Sequence, residues 1–330
     1  MSNASFSPST HPGNFPVRVM AHNVIAHFEN VRDHTLMSLT ASVLKGDVKP
    51  GIKWHIEKAP VKSPYADCGS QEIHLQETYL GFVWAMTYSL LIIYEEGVQK
   101  RMISGCFSGM IKYDTQLLQR ARQLFEWAVS LKDSYSDWDL SLPNPERHNN
   151  PTEKWYAEKV NGLFQDIVVY SLFHEYAHLT NEHCAALKNL FGKPLSELKA
   201  EEIALWKRIE TEADIVAFES IIDKASDSEQ YKLHKGVAIV LAHSMMLFIL
   251  RNPKSVTQIV HPDVDNRIHY SISQLSLQDP SSQDYIWYLG SLCCKFFFDL
   301  HSIPTDLSTT NTTEDLFFRY LGVFDSIKAN

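Results

Sequence analysis

The run Ile167-Val168-Val169-Tyr170-Ser171-Leu172-Phe173 passes without a break into His174-Glu175-Tyr176-Ala177-His178. A stretch this apolar is built to be buried, yet it delivers two imidazoles and a carboxylate within five positions. Residues four apart on an α-helix share a face, so His174 and His178 stand one turn apart on the same side. The pattern therefore asks for a long, mostly buried helix with a polar constellation at its end. Two such imidazoles can grip one Zn²⁺ ion while the intervening Glu175 reaches a water that the metal acidifies. A five-residue pattern also arises by chance, so two helix histidines beside a glutamate stay open as the plain alternative until a third ligand is found.

A candidate lies in Arg208-Ile209-Glu210-Thr211-Glu212-Ala213-Asp214, where acids interrupt a second apolar helical run. Glu210 and Asp214 are four apart and share a face. Glu210 is free to ligate, and Asp214 can accept the second ring N–H of a ligating histidine and so fix its tautomer. Glu212 points elsewhere and ranks below Glu210, without being eliminated. Taken alone, the segment also fits an acidic, solvated helix face. An all-histidine ligand set of the His-Glu-x-x-His-x-x-Gly-x-x-His type is excluded, because Asn181 and Cys184 stand where Gly and His are needed and His183 falls one residue short.

A further element is His261-Pro262-Asp263-Val264-Asp265-Asn266-Arg267-Ile268. The order His-Glu-x-x-His, Glu-x-x-Ala-Asp, His-Pro-x-x-x-x-Arg-Ile resembles the gluzincin metallopeptidases, including the HtpX-like peptidases. Upstream, Ile73-His74-Leu75-Gln76-Glu77-Thr78-Tyr79-Leu80, with Trp84 and Tyr88 following, is similar to the front half of Lit-type phage-exclusion peptidases. The likeness spans roughly residues 50 to 275. It implies zinc held by His174, His178 and Glu210, with Asp214 supporting a ligand. It also implies a sheet edge ahead of the metal helix along which an extended substrate pairs.

The expected chemistry is hydrolysis of a peptide bond in a protein substrate. Three protein ligands leave one zinc position open, and Glu175 serves as general base close to the metal but not on it. In the functional reading of the third element, His261 donates a hydrogen bond to the developing oxyanion, and Arg267 is structural, paired with an acid near the site. The plain reading is a helix start, with Pro262 in the first turn and Asp263 and Asp265 near the positive end of the dipole. A zinc-stabilised binding or regulatory protein that lost turnover would use the same ligands and stays open as the alternative. A phage-exclusion or toxin-like role comes only from the resemblance.

The formal charge of −9 argues against a nucleic-acid surface and leaves a protein or peptide as the expected partner. Five cysteines, an odd number without Cys-x-x-Cys spacing, indicate neither a disulfide framework nor a zinc ribbon, and all five are expected reduced. Residues 1–15, rich in Ser, Asn, Pro and Thr, read as a flexible tail rather than a secretory signal. The apolar stretches 80–94 and 236–250 fall short of the roughly 20 residues of a spanning helix. Core helices are therefore expected, with membrane association left open because the HtpX-like relatives are membrane proteins. The expected location is the cytoplasm.

The expected fold is mainly α with a small β-sheet, an α+β chain carrying its metal site on two helices. Strands are read at 52–57 and 72–76, with a turn region at 64–70. Helices are read at 17–44, 77–96, 114–132, 153–181, 196–225, 232–251, 271–277, 283–301 and 314–327. Residues 1–45 form the tail and first helix, and 46–330 one metallopeptidase domain, in which 142–151 is the clearest linker. His243 and Phe296-Phe297-Phe298 read as core, as do Trp84, Tyr88 and Leu91; His55 and His74 reach the cleft only if the strands do. Glu95 and Glu96 read as a solvated helix end.

Overall fold

The computed structural model describes residues 13–305 and 311–329. Helices dominate and one small sheet accompanies them, as the sequence pattern requires. A 3-10 turn at Pro16–Met20 leads into α1 (Ala21–Asn30) and α2 (Thr35–Lys45), and β1 (Ile52–His55), β2 (Tyr65–Asp67) and β3 (Glu72–Gln76) follow. Next, α3 (Glu77–Ile92) runs through a π-helical stretch, Ile93–Gln99, into α4 (Lys100–Ile103). The remaining helices are α5 (Gln116–Ser130), α6 (Pro151–Thr180), α7 (His183–Leu187), α8 (Ala200–Ile221), α9 (Glu229–Ile249), α10 (Val264–Gln274), α11 (Pro280–Leu300) and α12 (Thr313–Ala329).

The helix that carries the His-Glu-x-x-His residues, α6, is 30 residues long, or about 45 Å. Its start is dictated locally. The Asn150 side chain accepts the Glu153 N–H at 2.9 Å, and Pro151 sits at the first helical position, where no N–H is needed. Its middle is apolar on every side because it is packed on every side: α3, α8, α9 and α1 all touch it. Every residue of α3 is buried, including Trp84, Tyr88 and Leu91, so this helix forms the centre of the core. Phe296, Phe297 and Phe298 join the same cluster from α11.

The strands lie in the order β1-β3-β2, with β1 parallel and β2 antiparallel to β3. The assignment of 64–70 as a turn is corrected, since Tyr65, Ala66 and Asp67 form the edge strand opposite His74, Ile73 and Glu72. Pro64 is tolerated because it precedes an edge strand. The turn itself is confined to the residues after Asp67, whose carboxylate accepts from Gly69 N–H at 2.9 Å and Ser70 O–H at 2.8 Å.

The expected helix at 17–44 is broken at Val31–His34. There Arg32 leaves the helical path to donate to Asp227 Oδ1 at 2.8 Å and to the Ile221 carbonyl at the end of α8. The helix read at 271–277 lies at Val264–Gln274 instead, with Asp263 just before it and Asp265 in its first turn; Pro262 precedes it rather than opening it. Glu95 is not solvated: it is buried on the π-helical stretch, where Lys159 and Tyr285 donate to it, while half-buried Glu96 accepts from Tyr156. The flexible-tail reading falls on residues 1–12, outside the described residues. At its end, Phe15 is 1% exposed and stacks on Tyr135.

Among the described residues one helix, α9, is long and apolar enough to cross a membrane. It packs against α6, α10 and α11, and 72% of that apolar window is buried inside the fold, the pattern of a core helix. Cys68 and Cys184 form a disulfide across 116 residues, which corrects the expectation that all five cysteines stay reduced. Sequence spacing held no trace of this pair, because only the packing of β2 beside the end of α6 brings the two Cα atoms to 5.5 Å. Cys106, Cys293 and Cys294 are free thiols.

Candidate metal centre

Helices α6 and α8 run antiparallel, so Tyr170 meets Asp214 at one end of their contact and His178 meets Glu210 at the other. This crossing brings three ligand atoms together. His174 Nε2 and His178 Nε2 are 3.2 Å apart, and Glu210 Oε2 lies 3.3 Å from the first and 3.6 Å from the second. Ligand atoms about 2.0–2.1 Å from a tetrahedral Zn²⁺ stand roughly 3.3 Å from one another, so the triangle has the size of a metal site. The three residues are the one metal-sized group of His, Cys, Asp and Glu side chains among the described residues. Glu210 is the acid brought to the histidines, whereas Glu212 is half exposed and faces away.

The donor set fits a cation on two further grounds. Glu210 Oε2 is buried without any hydrogen-bond donor, a costly position for a carboxylate oxygen unless a positive charge faces it. Its partner oxygen Oε1 accepts from Trp206 Nε1 at 3.3 Å, which turns Oε2 toward the histidines. Asp214 Oδ1 lies 2.9 Å from His174 Nδ1, so that nitrogen carries the proton and the Nε2 lone pair points at the site.

Asp214 is in turn pinned by Arg267, which donates through Nε to Oδ2 at 2.8 Å and through Nη2 to Oδ1 at 2.5 Å. This bidentate pair is buried at the centre of a network. Tyr170 donates to Asp214 at 3.4 Å, and His243 bonds Tyr170 at 2.9 Å and Ser271 at 2.7 Å. His243 is thus a satisfied core histidine, as its apolar helix suggested, but one set behind the metal group. Against the penalty of burial, Arg267, His174 and His243 hold Asp214 well below the usual carboxylate range.

Glu175 lies beside the triangle, and its Oε2 accepts the backbone N–H of Ala66 on β2 at 2.8 Å. Burial raises its pKa above the ordinary carboxylate value, an effect that His174 and His178 partly oppose. His261 also approaches the triangle, with its Nε2 3.3 Å from Glu210 Oε2. Burial lowers the His261 pKa, which favours a neutral ring. Two recesses of about 530 and 240 Å³ meet here, sharing Pro64, Tyr65, His174, Glu175 and His261. The larger has a mainly apolar wall that includes Tyr79, Met245, Met246 and Ile249; the smaller ends on Phe191 and Trp206. Together with the edge strand they make a cleft passing over the metal group.

Three features of this site escaped the sequence reading. Trp206 stands four residues before Glu210 and was findable from helical spacing. His183, whose Nδ1 is 3.2 Å from His178 Nδ1, had no local signal, because it reaches His178 only through the turn after α6. The strand β2 is too short to alternate legibly. His55 and His74 bond each other at 2.8 Å and flank Tyr65 in a separate recess of about 300 Å³, apart from the metal group.

No curated protein matches this chain, and neither does any solved structure. The family model of Peptidase U49 matches residues 73–290, a span that begins in β3 and contains α6, α8, α10 and every residue of the metal group. That match covers well over half of the 330 residues, and on it the chain belongs to the Peptidase U49 family.

Proposed function

We propose that this peptidase is a zinc-dependent endopeptidase that cuts a protein substrate, with His174, His178 and Glu210 as metal ligands. The observation that carries the reading is the buried, donorless Glu210 Oε2 facing two histidine Nε2 atoms at 3.3 and 3.6 Å. When bound, zinc supplies Lewis-acid polarisation of a carbonyl and acidifies a water toward a pKa of about 7.

The residues around the metal group supply the rest. An extended peptide runs beside the edge strand β2, whose Ala66 N–H is already donated to Glu175 on the catalytic helix. Glu175 takes the proton of the attacking water and passes it to the leaving amine, and burial, which raises its pKa, makes it a stronger base than an exposed carboxylate. His261, neutral and at the rim of the cleft, donates to the oxyanion. Asp214 and Arg267 hold His174 in the tautomer that ligates. A cytoplasmic location and a phage-exclusion role, cutting a host protein on a trigger, extend this proposal through the resemblance to Lit-type peptidases.

The test is zinc content and cleavage of an unfolded protein substrate, measured on wild type and Glu175→Gln. The expected result is about one zinc per chain in both, with cleavage reduced by about 10²- to 10⁴-fold in the variant. A metal-free wild type, or full cleavage by Glu175→Gln, would overturn the reading.

A further inference from the structure

The second ligand histidine has its own support, and that support is tied covalently to the substrate strand. With His178 Nε2 turned to Glu210, its Nδ1 lies 3.2 Å from His183 Nδ1. For His178 to keep Nε2 free for a metal, its Nδ1–H donates to His183 Nδ1, which leaves the His183 proton on an Nε2 without a hydrogen-bond partner. That Nε2 is buried and faces Glu212 Oε1 at 3.6 Å. His183 is 3% exposed and opens α7, which is reached through Glu182 in the left-handed region at φ 60°. A glutamate rarely adopts that conformation unless surrounding contacts fix it.

The neighbouring residue supplies such a contact. Cys184 is bonded to Cys68, one residue beyond β2, and Cys184 Sγ lies 3.4 Å from the His178 carbonyl oxygen. The same strand holds Glu175 through Ala66 N–H. One covalent bond therefore ties the strand that holds the proposed general base to the turn that holds the proposed ligand. Both cysteines are half-buried and line the smaller recess, within reach of a small thiol.

We propose that the Cys68–Cys184 bridge and His183 form a redox-responsive clamp that positions His178, so that reducing the bridge weakens metal binding; this rests on the metalloprotease reading above. Reduction by a small dithiol proceeds by thiol–disulfide exchange. Its thiolate attacks one sulfur, the Cys68–Cys184 bond breaks, and a mixed disulfide forms. The second thiol then closes the reductant into its own disulfide. Two electrons and two protons pass to the protein, leaving two cysteine thiols. His183 acts as a positioning residue, through His178 rather than on substrate.

The experiment is zinc titration of the full chain against a chromophoric chelator, with the visible spectrum of the cobalt(II)-loaded protein as a second readout. Four samples are compared: oxidised wild type, wild type reduced with a dithiol that is then removed, Cys68→Ser/Cys184→Ser, and His183→Ala. The last three are expected to bind zinc about 10- to 100-fold more weakly than the first and to show an altered cobalt spectrum. The double variant should not respond to reductant. His183→Gln, which keeps an acceptor for His178, should recover most of the loss. Affinities equal within twofold, or tighter binding after reduction, would overturn the clamp while leaving the zinc reading intact. Failure of oxidised wild type to bind zinc would instead remove the reading beneath it. Thermal unfolding of the metal-free proteins separates a lost clamp from a lost fold.

Discussion

Asp214 Oδ1 lies 2.9 Å from His174 Nδ1, and the same carboxylate is held by both Nε and Nη2 of Arg267. A single buried acid thus fixes the tautomer of a candidate ligand and neutralises a buried cation. Asp214→Asn keeps the size of the side chain and removes its charge. It is expected to weaken zinc binding by about 10- to 100-fold. It should also lower stability by about 3–5 kcal/mol, because Arg267 is left buried without its partner. Chelator competition reads the first effect and urea unfolding the second; a variant with wild-type values in both would contradict the arrangement.

Trp206 Nε1 donates to Glu210 Oε1 and leaves Oε2 facing the two histidines, as the proposed metal site requires. Trp206→Phe keeps the ring packed near Phe191 and deletes that donor. Zinc affinity is expected to fall by about tenfold with little change in the unfolding midpoint of the metal-free protein. An unchanged zinc Kd would show that Glu210 is oriented by the helix alone.

Asp166, on α6 two turns before His174, is buried among Lys235 Nζ at 2.5 Å, His27 Nε2 at 2.6 Å and His234 Nε2 at 3.2 Å. Burial penalises its charge, but His234, His27 and Lys235 prevail and hold its carboxyl well below the usual range. The unfolded chain therefore binds this proton more readily than the folded one. The stabilisation is complete above the unfolded pKa of about 4 and is lost as pH falls from there toward the lower folded value. Urea unfolding between about pH 2 and 6 should show a steeper acid loss in wild type than in Asp166→Asn. Equal slopes would sink the assignment.

Much of the site was readable because helical spacing is local. His174 with His178, and Glu210 with Asp214, had to share faces once their segments were helices, and the apolar run before His174 required α6 to be buried. Most of the long helices, and strands β1 and β3, were legible from periodicity, but the helix read at 17–44 is two helices, the one read at 271–277 begins at Val264, and the short α4 and α7 were not read. By contrast, the edge strand β2, the Cys68–Cys184 bridge, the seat of His183 behind His178 and the burial of Glu95 all depend on which surfaces meet.

The sequence by itself determined which residues could ligate and on which helical faces they lie, because spacing along a helix is set by backbone geometry. Only the tertiary structure decided that the Glu210 face of α8 crosses the His178 end of α6, and that β2 passes over Glu175. Those choices come from burying apolar surface among α3, α6, α8 and α9, a non-directional force acting between segments far apart in the chain, of which no short stretch of sequence carries a record.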